Sequence, residues 1–268
     1  MPLTALSEWA EKAIRAPFHL AGLELIRRPS RDADDQRIFF LHLPKCGGVS
    51  VNMAMRRAFG AQKVDGLNPN ASRRVAERRG KDLRKFRTSL LFYYMAMENV
   101  NVISGHFSWN DDVYEQFSKK WAYVTVLRDP IRRWFSHYFY NRHKSGGYLG
   151  IEKDLPTFLH SERAREMGTL YTRRLSSPEA TELNQAVGQA KVNLEKFEVL
   201  GLLDDMDAFA DQFSSQFGVR LNIPTKNTSP MEDDKYEAMR NEEYIHRVKE
   251  ICENDIEIYN YAHRLVCK

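Results

Sequence analysis

The segment from Phe40 to Ser50 joins an apolar run to residues that are suited to bind an anion. Gly47 and Gly48 have no side chains, so an anion can approach the backbone N–H groups closely. A helix beginning here would present unpaired N–H donors and the positive end of its dipole. Lys45 adds a cation, and Ser50 adds a hydroxyl donor. The glycine-lysine spacing of nucleotide triphosphatases is absent, so this pattern predicts a phosphate site of another kind, with a tight turn as the alternative.

A second group of anion-binding residue types begins at Arg128, after another apolar run. Arg132 and Ser136 are four residues apart, so they share one face of a predicted helix, and Arg133 is adjacent. A guanidinium group makes paired hydrogen bonds to a phosphate, and a serine hydroxyl can add another. The pattern predicts a second phosphate site, although Arg128-Asp-Pro would also suit a capped turn with an ion pair.

Together the two segments resemble the cofactor motifs of sulfotransferases, most closely those of the carbohydrate enzymes that sulfate heparan sulfate at 2-O or 6-O positions. The first, H-L-P-K-C-G-G-V-S, is similar to the usual H-I-P-K-T-G-G-T-S. The second, L-R-D-P-x-x-R-x-x-S, is similar to the family's 3′-phosphate motif. Cys46 and Val49 depart from the pattern, because each stands where a threonine hydroxyl is usual. The resemblance covers roughly residues 37–265, including 226–229, with strong motifs only in the first 100 or so.

The resemblance implies a cofactor, 3′-phosphoadenosine 5′-phosphosulfate (PAPS), which leaves as 3′-phosphoadenosine 5′-phosphate (PAP). Arg128 and Ser136 would hold the 3′-phosphate. The residues implied to hold the 5′-phosphosulfate are Lys45, Cys46, Gly47, Gly48, Val49 and Ser50. A cysteine at the start of a helix could also have a lowered thiol pKa, but a loop residue is the preferred interpretation of Cys46 over a nucleophile.

Sulfuryl transfer to a hydroxyl requires a base to take the proton and a cation to stabilise the leaving phosphate. His106, in Ser-Gly-His-Phe-Ser, directly follows a predicted strand and resembles the base of the heparan sulfate 2-O-sulfotransferases. We therefore assign His106 as the catalytic base and Lys45 as the catalytic cation, with a structural histidine as the alternative for His106. His42 is predicted to be structural, whereas His137 or His143 could face the acceptor. The chemistry requires no metal.

The elements that must position these residues alternate between strands and helices. Strands are predicted over residues 38–43, 99–104, 121–127 and 197–202. Helices are predicted over residues 3–16, 49–59, 61–97, 181–196, 208–217 and 242–265, and from 130 onward. This order predicts an α/β fold with a mainly parallel central sheet flanked by helices, a P-loop-like sulfotransferase fold on the resemblance. Ligands in such folds lie beyond the carboxyl ends of the strands, where the proposed sites fall.

Length and composition fit one large domain: 268 residues, 43% hydrophobic and 12% aromatic. We divide the chain into an N-terminal helical extension, residues 1–36, and a sulfotransferase domain, residues 37–268. The chain has no apolar run long enough to span a bilayer and no visible signal peptide, and its cysteines are few and odd in number. These features predict a cytoplasmic protein, with peripheral membrane association left open.

The net charge of +4 is unevenly distributed, since residues 71–87 carry eight Lys/Arg and two acidic residues. A solvated helix face is the preferred interpretation, and an acidic acceptor, a membrane surface or nucleic acid are the others. Nucleic acid is disfavoured because no aromatic residue interleaves the basic ones before Phe86.

The acceptor is expected to be a carbohydrate, preferably an anionic saccharide, with a glycolipid or another small alcohol nearly as suitable. Two other functions remain open. One is a nucleotide or small-molecule kinase, disfavoured by the missing lysine spacing and by the lack of a convincing magnesium carboxylate. The other is a degenerate sulfotransferase domain that binds a nucleotide or glycan without turnover, suggested by Cys46 and Val49.

Overall fold

A computed structural model describes residues 37–143, 150–177, 182–224 and 232–267. The predicted N-terminal extension with its helix over 3–16, and the 226–229 segment, lie outside the described residues. The division at residue 36 stays a prediction.

The described residues form a five-stranded parallel sheet with strand order β2-β3-β1-β4-β5. The strands are β1 Arg37–Leu41, β2 Val64–Gly66, β3 Val102–Gly105, β4 Trp121–Leu127 and β5 Val199–Leu202. The prediction of a mainly parallel sheet is confirmed. The short edge strand β2 was not predicted, because it lies within the stretch expected to be helical from 61 to 97.

Helices cover both faces of this sheet. Within the described residues they are α1 Gly48–Phe59, α2 Pro69–Arg78, α3 Leu83–Met95, α4 Asp111–Phe117, α5 Pro130–His143, α6 Leu155–Leu159, α7 Glu162–Gly168, α8 Leu170–Leu175, α9 Leu183–Leu194, α10 Met206–Phe217, α11 Glu232–Ala238, α12 Glu242–Ile251 and α13 Glu253–Val266. The prediction of a single helix over 242–265 is wrong, because the helix is interrupted at Cys252, which separates α12 from α13. No glycine or proline marks this break in the sequence.

The side chains of β1 alternate between two apolar cores, as the pleat of a strand requires. Phe39 and Leu41 pack into one core, on the face covered by α3, α8, α9 and α13. Ile38 and Phe40 pack into the other core, on the face covered by α1 and α10. Each fully buried side chain of this size contributes roughly 1.5–3 kcal/mol by leaving water. The central strand is therefore held from both sides, and its carboxyl end is a rigid base for the loop that follows.

The direction in which successive strands are added to the sheet reverses between β1 and β4, although all strands are parallel. From β1 the sheet continues through β3 to β2 on one side and through β4 to β5 on the other. Loops that leave two such strands diverge and open a crevice at the carboxyl edge. Both predicted anion sites follow these two strands.

Candidate functional site

The loop after β1 bends back sharply before α1. Gly47, the residue before α1, has a φ of 73°, which favours glycine. Lys45 has a φ of 67° and is the one non-glycine residue with positive φ in the described segments. For an L-residue this conformation costs roughly 1–2 kcal/mol, so the fold holds Lys45 against a local preference. The bend lets the backbone of Gly47, Gly48 and Val49 face the crevice.

Packing against His42 leaves no room for a side chain at Gly48. A Cβ atom at Gly48 would lie 1.9 Å from Cδ2 of His42. Within the described residues, no acceptor is found for the amide N–H groups of Gly47, Gly48 and Val49, whereas the Ser50 amide bonds to the Gly47 carbonyl at 3.0 Å. These amides are the free donors that an anion at a helix N-terminus needs.

One cavity of about 1660 Å³ extends over the carboxyl edge of the sheet. This volume exceeds the usual size of a single small-molecule site, so it has room for a nucleotide and a second ligand. The predicted site residues that line it are Lys45, Gly47, Gly48, Val49, Ser50, His106, Arg128 and Ser136. The sheet thus gathers residues from three separate strand ends into one space.

Cys46 is the predicted site residue whose side chain is directed elsewhere. It is 1% exposed, and its Sγ lies 3.4 Å from the Tyr171 hydroxyl, inside the core. Burial raises the pKa of this thiol, the opposite of the lowering that a helix N-terminus suggested. Val49, by contrast, is 64% exposed and lines the cavity.

The predicted second anion site lies where β4 passes into α5. Asp129 accepts a hydrogen bond from the Arg132 amide at 2.8 Å, which caps the helix as predicted. Arg128 donates from Nη1 to the Lys45 carbonyl at 3.3 Å, while its Nε is buried and has no hydrogen-bond partner among the described residues. A buried unpaired guanidinium N–H beside a cavity fits an anionic ligand. Ser136 lies two turns further along α5 and also lines the cavity.

The two other arginines of this motif serve the fold. Arg132 is exposed and forms a 3.5 Å ion pair with Asp204. Arg133 is fully buried and pairs with the equally buried Asp255 at 3.3 Å. The expectation that Arg132 shares a phosphate-binding face with Ser136 is not met, because only Ser136 of the two lines the cavity.

Lys45 reaches across the cavity to α5. Its Nζ lies 3.9 Å from the centre of the Tyr140 ring, within the range of a cation–π contact. Tyr140 is one helical turn after Ser136. The cation predicted to act on the 5′ side of the nucleotide therefore lies beside the helix that carries the predicted 3′-phosphate site.

Three histidines, His42, His106 and His137, line the cavity, and we call them the cavity histidines. Nδ1 of His106 lies 2.7 Å from the carbonyl oxygen of His42. A carbonyl can only accept, so Nδ1 carries the proton and Nε2 carries the lone pair. The pKa of His106 is lowered to about 4: burial is the largest cause, the hydrogen bond to the His42 carbonyl opposes it, and nearby Arg174 and Arg87 add to the lowering. His106 is therefore neutral at pH 7.

The other two cavity histidines are also neutral. Burial, followed by the neighbouring His106, lowers the pKa of His42 to about 3, and its ring lies 4.4 Å from that of His106. Burial and then Arg133 and Lys45 lower the pKa of His137 to about 3. The prediction that His42 is structural agrees with its packing against Gly48, although it also contacts the cavity.

Sequence reasoning singled out the basic 71–87 run but missed the arginine cluster that two of its residues form in the cavity with residues of α7 and α8. We call it the arginine wall, and its members are Arg73, Arg87, Arg163, Arg173 and Arg174. Arg87 and Arg174 each donate to the carbonyl of His106, at 3.1 and 3.2 Å. Burial, and then their arginine neighbours, lower the pKa of Arg87 to about 10 and of Arg174 to about 9, so both remain charged at pH 7.

The basic run at 71–87 is divided between two roles. Arg73 and Arg87 face the cavity, whereas Arg74, Arg78 and Arg79 are exposed on α2 and at its end. The helix-face interpretation holds for the exposed residues alone. The rest of the wall comes from α7 and α8, about 90 residues later, and no pattern in the sequence connects it to the run.

The opposite end of the cavity is acidic. Asp204, Asp205, Asp207 and Asp211, at and beyond the end of β5, line it together with Arg220. Among the described residues, no group of three or more histidine, cysteine or acidic side chains is arranged to hold a metal ion. None of the helices in the described segments combines the length and the apolar character that crossing a bilayer requires.

The chain is similar to known sulfotransferases. The model of the sulfotransferase family named Sulfotransfer_2 matches residues 28–262. Among solved structures, the crystal structure of mouse sulfotransferase SULT7A1 complexed with PAP is similar, at 14% identity and a TM-score of 0.40 over 78% of this chain. The match spans 65% of that protein's chain. No curated protein matches the chain in sequence.

Proposed function

The chain belongs to the sulfotransferase family, and on that premise we propose that it transfers a sulfuryl group from PAPS to a hydroxyl of an anionic carbohydrate. The observation that carries the proposal is the shared cavity, in which two anion-binding loops, a neutral histidine and an arginine wall meet.

The loop residues fit the 5′ end of such a cofactor. Unpaired amides of Gly47 and Gly48, the Ser50 hydroxyl and the Lys45 ammonium can together neutralise a phosphosulfate. Arg128, with its unpaired Nε, and Ser136 fit a 3′-phosphate. Two anion sites at neighbouring strand ends suit one nucleotide that carries phosphate on both sides.

When bound, PAPS supplies a sulfuryl group whose bond to the 5′-phosphate oxygen breaks as the acceptor oxygen bonds to sulfur. Nε2 of His106 takes the proton that the acceptor hydroxyl loses. The His42 carbonyl holds the ring in the tautomer that this step requires. Lys45 and the loop amides stabilise the negative charge that develops on the leaving phosphate.

A pKa of about 4 keeps His106 unprotonated but makes it a weak base in the free protein. Anionic ligands beside the ring favour its protonated form, so we expect their binding to raise this pKa toward neutrality. The proton acceptor would thus become stronger when the cavity is filled.

The arginine wall supports an anionic acceptor. Its five guanidinium groups line the cavity, and two of them, those of Arg87 and Arg174, bond to the carbonyl of His106. Burial and the neighbouring arginines disfavour the charged forms of Arg87 and Arg174, and an acceptor with sulfate or carboxylate groups would offset this repulsion. A neutral glycolipid or a small alcohol would leave the repulsion between the arginines in place.

We also propose a cytoplasmic location, which the free cysteines Cys46, Cys252 and Cys267 favour.

The first test is calorimetric titration with PAP, set against ATP with Mg²⁺. Metal-independent binding of PAP is expected. A preference for Mg-ATP would favour the kinase instead. PAPS turnover is then measured with a sulfated or carboxylated oligosaccharide and with its neutral counterpart. Transfer to the anionic acceptor alone is expected, whereas PAP binding without transfer to any acceptor would indicate a non-catalytic domain.

A further inference from the structure

The hydroxyl of Tyr171 lies between the two anion loops. Tyr171 is in α8 and is fully buried. Its hydroxyl donates to the carbonyl of Arg128 at 2.6 Å and accepts from the Arg128 amide at 2.9 Å. It also lies 3.4 Å from the Cys46 Sγ. Because the one phenol proton is already given to Arg128, any hydrogen bond between the two side chains is donated by the Cys46 thiol, for whose proton the Pro44 carbonyl at 3.6 Å competes.

A second link runs directly between the loops. The Nη1 group of Arg128 donates to the Lys45 carbonyl at 3.3 Å. The backbone of Arg128 is thus fixed by Tyr171, and its side chain reaches the residue before Cys46. Two bonds to Arg128 and one contact to Cys46 set the distance between the loop after β1 and the turn after β4.

Tyr171 is itself held by a buried polar network. Its amide donates to Asp255 at 2.9 Å, and Asp255 also accepts from the amide and the hydroxyl of Thr172, both at 2.9 Å. Arg133 pairs with Asp255 and lies 5.0 Å from the Tyr171 ring. Burial raises the pKa of Tyr171 well above its usual value, so its hydroxyl remains a donor. The bridging hydroxyl therefore has a fixed position.

We infer that Tyr171 is a positioning residue that holds the two anion loops at the spacing one bisphosphate nucleotide requires, an inference that rests on the proposed function. The cysteine that stands in place of the usual threonine belongs to this bridge, because its side chain contacts Tyr171 and not the cavity. Rigid spacing matters because the second phosphate then binds at a high effective concentration once the first is bound.

The test compares Tyr171→Phe with the wild-type protein. Three ligands are titrated: PAP, 3′-AMP and 5′-AMP. Tyr171→Phe should weaken PAP binding about tenfold. The affinity for 3′-AMP or 5′-AMP should fall less than about threefold, because each of these ligands contacts only one of the two loops. A general loss of structure would weaken all three equally, and that result would contradict the positioning role.

Tyr123→Phe is the matched control. Tyr123 is also a buried tyrosine, but its hydroxyl has no hydrogen-bond partner among the described residues. Its removal should leave PAP affinity unchanged. A loss as large as that of Tyr171→Phe would show that the effect is not specific to the bridge.

Hydrogen exchange tests the bridge without any nucleotide. In Tyr171→Phe the Arg128 amide loses its acceptor, so its exchange should accelerate at least about tenfold. Amides inside β4, such as those of Val124 and Val126, should keep their wild-type protection. Unchanged exchange at Arg128 would overturn the inference. Failure of the wild-type protein to bind PAP would instead overturn the proposed function.

Discussion

Replacing His106 with asparagine removes the proposed base while keeping its structural hydrogen bond. In His106→Asn the side-chain amide N–H takes the place of Nδ1, which lies 2.7 Å from the His42 carbonyl. The lone pair of Nε2 is lost, because asparagine has no group at that position. The variant therefore separates proton transfer from packing.

The expected loss follows from the size of general base catalysis. A positioned base contributes roughly 10²–10⁴-fold to the rate, so kcat should fall by that factor. PAP affinity should change little, because His106 follows β3 whereas the two phosphate sites follow β1 and β4. Cavity shape should also be kept, since Arg87 and Arg174 bond to the backbone carbonyl of residue 106.

The assay measures initial rates with PAPS and an anionic oligosaccharide from about pH 3 to pH 9. For the wild-type protein, kcat/KM reports the free protein, so its acid limb should follow the pKa of His106, about 4. Below that pH the ring is protonated and cannot accept a proton. The acid limb of kcat should lie at higher pH, because bound anions favour the charged ring.

Two results would refute this reasoning. If the rate of His106→Asn fell less than about tenfold, proton transfer to His106 would not limit the reaction. If the acid limb of kcat/KM persisted unchanged in the variant, it would belong to another group. A parallel collapse of PAP affinity would instead indicate a structural histidine.

Three further predictions concern the cofactor, the acceptor and the fold. Arg128→Ala should weaken PAP binding by about tenfold or more in calorimetry, since it removes a charge-assisted donor; Arg132→Ala, which alters the exposed ion pair with Asp204, should not. Arg73→Ala should raise the KM of an anionic acceptor about tenfold and leave the KM of PAPS unchanged, whereas its exposed neighbour Arg74→Ala should alter neither. Urea denaturation should show stability falling as the pH drops from 7 to 4: unfolded histidines bind protons near pH 6.5, whereas the cavity histidines have pKa values of about 3 to 4. Each cavity histidine should lower the free energy of unfolding by on the order of 1–3 kcal/mol over this range, and a stability that does not change with pH would contradict the burial of these histidines.

Local patterns predicted the elements that carry the two candidate anion sites. An apolar run followed by glycines predicted β1 and the start of α1, and Asp129 with Pro130 predicted the start of α5. Each of these signals lies within about ten residues of the site that it positions. The backbone at both sites is therefore encoded locally.

Long-range features had no such signal. The arginine wall joins Arg73 and Arg87 to residues of α7 and α8, and only the tertiary fold brings them together. The three-residue strand β2 is too short to show alternation. In the sequence, Tyr171 cannot be distinguished from other core aromatic residues, because its proposed role depends on contacts with Arg128, which is 43 residues away.

The two departures from the usual loop motif do not have equal weight for activity. Cys46 is turned into the core and contacts Tyr171, so its lack of a hydroxyl removes no donor from the cavity. Val49 lines the cavity and is exposed, so a hydroxyl donor is absent there. One neutral hydrogen bond contributes about 1 kcal/mol, far less than the charge-assisted contacts expected from Lys45 and Arg128. The non-catalytic alternative therefore rests on one weak contact, and Val49→Thr should tighten PAPS binding by less than about tenfold if the cofactor is held as we propose.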